Sequence, residues 1–128
     1  MSVASHVDLL GILFIIWGLL TTLVGVSTLA LGIAALALMT SGANGGRGGE
    51  FAAGVTAAAF TTLAIMAIVW GLAHAIVGLP LRRRSPAARI AALLLASVDL
   101  LLLPFGTALG AYALWVLLNE RGKQLFDR

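Results

Sequence analysis

The chain has 128 residues, 61% of them hydrophobic and 10% charged, where an ordinary soluble domain carries roughly a quarter charged residues. Its mean hydropathy of +1.08 comes from long apolar runs, which excludes a water-soluble globular domain and leaves no length for a second domain beside them. The formal charge is +3 and there is no cysteine, which excludes a disulfide framework, a thiolate metal site and a cysteine nucleophile.

Between the charges lie three apolar segments, 9–39, 51–81 and 90–118. Each exceeds the roughly twenty residues of one span and falls short of two spans with a turn. In the first, Gly11, Gly18, Gly25 and Gly32 recur every seven residues, with Phe14, Thr21, Thr28 and Ala35 on the companion positions. A turn would break that phase, so the spacing predicts one long helix over about 6–40 with a small-residue seam in an a/d pattern. Ser5 and Asp8 spell a capping box at its start. At 1.5 Å per residue the segment approaches about 47 Å and must tilt or project beyond a hydrocarbon core of about 30 Å. The loop SGANGGRGGE, 41–50, ends it with glycines, which tolerate turns that other residues avoid. The N-terminus lacks the basic n-region and short apolar stretch of a cleavable signal, so it is expected to remain in the mature protein.

The second segment predicts a helix over about 51–80 with the same device: Ala57, Ala64, Gly71 and Gly78 lie seven apart, beside Ala53, Ala67 and His74. Two small-residue seams favour close packing of the first two helices, at a left-handed crossing of about +20°. A basic loop follows at 81–85, and its run RRRSPAAR places Arg82, Arg83, Arg84 and Arg89 beside a span. There arginines act as topology determinants and anionic-lipid contacts, so nucleic acid is not an expected partner.

The third segment holds Pro104, Gly106 and Thr107 in mid-run, a breaker, a glycine and an N-cap hydroxyl, which predict a helical hairpin turning at 104–107. Its arms are helices over about 86–103, opened by Ser85 as N-cap and Pro86, and about 107–120. The hairpin gathers Arg82, Arg83, Arg84, Arg89, Arg121, Lys123 and Arg128 on one face and leaves Arg47 opposite, satisfying the positive-inside bias. The second arm is short enough to require extension into the tail, local thinning of the bilayer, or a re-entrant half-span. In the tail, 119–128, Leu125 and Phe126 offer an amphipathic dock. The expected fold is therefore all-α: a four-helix transmembrane bundle in one polytopic domain, 1–128, in a bacterial inner membrane with both termini cytoplasmic.

The stretch PAARIAALLLASVDLLLLPFGTALGAYALWVLL, about a quarter of the chain, is similar to the C-terminal half of a widespread set of small, uncharacterised bacterial membrane proteins. The resemblance rests on Ala88, Arg89 and Ile90, then Pro104, Gly106, Thr107, Leu109, Gly110, Tyr112, Leu114, Trp115, Val116, Leu117 and Leu118. Where Ala87 stands, the set often has an aromatic residue. The resemblance implies a four-span inner-membrane protein and implies no activity. The residues also have a structural account, Gly106 and Gly110 as a small-xxx-small face with Tyr112 and Trp115 near interfaces or helix contacts.

Two ionisable residues lie inside the apolar segments. His74 is eight residues before Arg82 and Asp99 ten beyond Arg89, so helical rise sets both roughly 12 to 15 Å from the basic face, at matching depth. Asp99 shares a face with Ala92 and Ala96, and His74 with Gly71 and Gly78, so both are expected to point into protein. Three roles compete. Asp99 fixes helix register through Ser97, Thr61, Thr62 or backbone groups; it is the titrating carboxylate of a homo-oligomeric proton- or cation-coupled transporter or channel; or His74 is an axial ligand to haem or a (bacterio)chlorophyll. There is no Ser/His/Asp set, HExxH, P-loop or strand-borne GxGxxG, so no enzymatic activity is expected. The leading expectation is a non-catalytic subunit, an accessory or assembly component of a larger respiratory or photosynthetic membrane complex. Its partners are then the lipid bilayer, other integral membrane subunits, and copies of itself.

Overall fold

A computed structural model describes residues 2–41, 47–101 and 105–127. Among them the regular structure is all helical, with no strand and five helices: α1 (Val3–Ser41), α2 (Arg47–Arg82), α3 (Pro86–Asp99), α4 (Phe105–Leu118) and α5 (Glu120–Phe126). Two of them, α1 and α2, are long and apolar enough to cross a membrane.

Helix boundaries depart from expectation where capping chemistry decides them. α1 begins before the predicted residue 6 because Ser2, not Ser5, is the cap: its hydroxyl accepts the Ser5 N–H at 3.2 Å and its carbonyl the His6 N–H at 3.2 Å. The Ser5 hydroxyl is occupied with Ser2 Oγ at 3.0 Å. α2 starts at Arg47 instead of 51, so residues 47–50 of the predicted glycine-rich loop are helical; Glu50 in the first turn complements the helix dipole. The rest of that loop, 42–46, lies outside the described residues.

At its other end α2 continues through Pro80 to Arg82, so the basic loop shrinks to a tight turn. The Ser85 N–H reaches the Pro80 carbonyl and the Arg84 N–H the Leu81 carbonyl, both at 3.0 Å. These are the paired bonds of a Schellman motif. Its left-handed position is held by Arg84 at φ 60°. Ser85 then occupies the N-cap of α3 with Pro86 following, but its side chain makes no capping bond.

α3 ends at Asp99, short of the predicted 103, and α4 is already helical at Phe105, so Gly106 and Thr107 belong to a helix rather than to the turn. Thr107 does not cap α4; its hydroxyl donates to the Leu100 carbonyl at 2.9 Å, satisfying the end of α3 instead. Residues 102–104, including Pro104, lie outside the described residues. Across the hairpin the contacts run antiparallel: Thr107 to Leu100, Gly110 to Ala96, and Arg89 Nε donating to the Leu117 carbonyl at 3.1 Å. Asn119 interrupts the predicted 107–120 helix with extended backbone, and its side chain accepts the Arg121 N–H at 3.1 Å to start α5.

The residues form two compact units, Leu19–Leu72 and the remainder, Met1–Gly18 with Ala73–Arg128. Both α1 and α2 contribute to each. Within Leu19–Leu72 the two helices run antiparallel through their seam: a Cβ on Gly25 would stand 2.7 Å from Ile68 Cγ1 and 3.0 Å from the Ala64 carbonyl, and one on Gly32 2.7 Å from Phe60. In the other unit Gly78 and Gly11 meet, a Cβ on Gly78 standing 2.8 Å from the Gly11 carbonyl. All four heptad glycines of α1 are buried. The core of this second unit joins Val7, Leu10 and Phe14 to Leu81, the alanines of α3, and Val116, Leu117 and Phe126.

Candidate functional site

The unit comprising the start of α1, the end of α2 and α3 to α5 holds the two ionisable residues of the apolar segments, and they meet. His74 Nε2 lies 2.7 Å from Asp99 Oδ2, with both side chains fully buried. His74 reaches the core because it shares the buried face of α2 with Gly71 and Gly78. Asp99 is the last residue of α3, on the face of Ala88, Ala92 and Ala96. Phe14 of α1 stacks on the imidazole, ring centroids 5.1 Å apart at 29°. Three helices thus converge on one hydrogen bond.

The bond carries one proton between nitrogen and oxygen, on Nε2 or on the carboxyl. In either state the partner satisfies a group whose burial alone is costly. Of the other polar side chains expected near Asp99, the Ser97 hydroxyl bonds the Leu93 carbonyl of its own helix at 2.8 Å, and Thr61 and Thr62 are exposed residues of the other unit. For a macrocycle ligand the geometry is unfavourable, because Asp99 holds Nε2 and Phe14 covers a ring face of His74.

No known protein family, curated protein or solved structure matches this chain.

A second cluster joins Tyr112 and Trp115, expected at an interface or helix contact, to His6, which no sequence signal points to. His6 Nδ1 is 2.8 Å from the Tyr112 hydroxyl, and Trp115 meets His6 edge-on at 5.4 Å and lies nearly parallel to Tyr112 at 6.2 Å. Tyr112 and Trp115 are one turn apart on α4, but His6 is 106 residues from Tyr112, beyond any local pattern. Trp115 is 56% exposed, so the cluster faces outward.

Basic residues of this unit lie at the same end. Arg82 and Arg83 are exposed, Arg84 and Arg89 half-buried. Arg89 is anchored by its bond to Leu117, and the aliphatic stem of Arg82 crosses Gly11: a Cβ there would overlap Arg82 Cγ and stand 3.2 Å from Cδ. On α5, Lys123 pairs with Glu120 at 2.9 Å and, chiefly by that hydrogen bond, holds the Glu120 carboxyl below its usual range. The tail does not offer a free dock, because Phe126 is buried in the unit's own core and Leu125 packs against it.

Proposed function

We propose that the chain is a non-catalytic integral-membrane subunit, an accessory or assembly component of a larger bacterial membrane complex, folded as a four-helix transmembrane bundle in the inner membrane with cytoplasmic termini. The observation that carries this reading is how the molecule spends its side chains. The ionisable residues of the apolar segments bond each other with 0% exposure, while the outer surfaces of α1 to α4 present large apolar side chains such as Leu23, Leu38, Met66, Ile76, Leu94 and Trp115. A surface of that kind suits lipid and neighbouring spans. The gathering of arginines at one end supports the orientation. Purification of the tagged chain from native membranes in mild detergent, followed by mass spectrometry, tests the reading. A stoichiometric larger complex is the expected result, and a particle of this chain alone overturns it.

A second reading, a homo-oligomeric proton- or cation-coupled transporter or channel, is favoured by the ionisable pair itself. Asp99→Asn separates the two: it abolishes coupled transport in the second reading and leaves complex assembly in place in the first.

A further inference from the structure

We infer that the end of the molecule where α2 meets α3 is a built binding site for the phosphate of an anionic membrane lipid, with Arg82 and Arg89 as its guanidinium ligands. This rests on the membrane reading above. Three observations carry it beyond a general excess of positive charge.

The first is place: α2, one of the two helices able to cross a membrane, ends at Arg82, which is where lipid phosphates lie. The second is fixation. A loose arginine gives up rotamer freedom when it binds, but here the stem of Arg82 is packed and the guanidinium of Arg89 is held by a hydrogen bond. Arg82 lays its stem over Gly11, in space that any larger residue of α1 would fill. Arg89 is held by Nε to the Leu117 carbonyl, which sets the plane of its guanidinium while its terminal nitrogens retain their own donors. The third is balance. This unit carries Arg82, Arg83, Arg84, Arg89, Arg121 and Lys123 against Asp8, Asp99, Glu120 and Asp127 among its described residues; of these acids Asp99 is buried against His74 and Glu120 is engaged with Lys123. Charge complementarity therefore selects an anion. Trp115, exposed beside Tyr112 and His6, supplies the aromatic anchoring typical of the headgroup region.

A planar fork held in place recognises phosphate bidentately, which a lysine does not reproduce. The site therefore distinguishes arginine from lysine, whereas diffuse attraction to a charged surface does not. The test is native mass spectrometry of the full chain released from phosphatidylcholine nanodiscs containing phosphatidylglycerol, comparing wild type, Arg82→Lys/Arg89→Lys and Arg47→Gln. Wild type and Arg47→Gln should retain the anionic lipid over the neutral one by about tenfold, and the double lysine variant should lose most of that preference. Equal retention by the lysine variant overturns the site in favour of charge density alone. Should that variant not accumulate, wild type decides by itself: no preference between the two lipids, or displacement of phosphatidylglycerol by soluble glycerol phosphate at equal concentration, overturns the lipid assignment. Release of the chain from native membranes by alkaline carbonate would instead refute the membrane reading, independently of any lipid preference.

Discussion

At the scale of single residues, the His74–Asp99 bond is a pair whose members depend on each other more than the fold depends on both. Removing one partner takes a fully buried bond from the other, so His74→Leu or Asp99→Leu alone should each cost about 3–5 kcal/mol. The double variant His74→Leu/Asp99→Leu should recover much of that loss, read as thermal unfolding in detergent; failure to recover would mean that other polar partners of the pair matter more. Arg84 offers the opposite kind of test. A non-glycine residue in the left-handed region costs roughly 1–2 kcal/mol, and glycine returns part of this through its freer unfolded state. Arg84→Gly should therefore raise stability by about 0.5–1 kcal/mol, as a higher melting temperature.

The meeting of His74 and Asp99 is readable from sequence because both sit in apolar helical runs, where rise per residue converts numbering into depth. The heptad glycines are readable for a similar reason, since a small-residue seam has one use. The Schellman turn escapes that reading because its left-handed position holds arginine, not the glycine that announces such turns. The first cap escapes it as well, because Ser2 and Ser5 are equally good candidates until geometry chooses between them.

At the scale of elements, the short α5 depends on Gly122. A Cβ there would run into the Val116 carbonyl, so Gly122→Ala should detach α5 and expose Phe126, detected as faster proteolytic loss of the tail. Its salt bridge adds a pH dependence of known sign. Lys123 lowers the Glu120 carboxyl from its ordinary range, so the contribution is present above the unfolded value and disappears as pH falls through the folded one. The pair is exposed and its contribution is small. Protection of the tail should weaken slightly on acidification below the ordinary glutamate range, and Glu120→Gln should remove that dependence. Asn119 explains why sequence periodicity overran this boundary: the apolar pattern of α4 continues to Leu118, and the stop is a single side chain accepting one backbone N–H.

At the scale of the whole molecule, division into two units was not readable from hydropathy, because α1 and α2 are apolar on both sides of it. The two units differ in how their parts are spaced along the chain. Leu19–Leu72 is continuous, whereas the other unit joins residues up to Gly18 with those from Ala73 onward. Order of synthesis follows from this. The continuous unit has all its partners once α2 has emerged, while Val7, Leu10 and Phe14 must wait for α3 and α4 before their core exists. A nascent chain therefore passes through an interval in which one helix pair is formed while the core around Val7, Leu10 and Phe14 still lacks its α3 and α4 members. A chain halted after Arg82 should still cross-link between cysteines introduced across the pair within Leu19–Leu72, while cysteines placed at Phe14 and Leu117 report the other core only in the full chain.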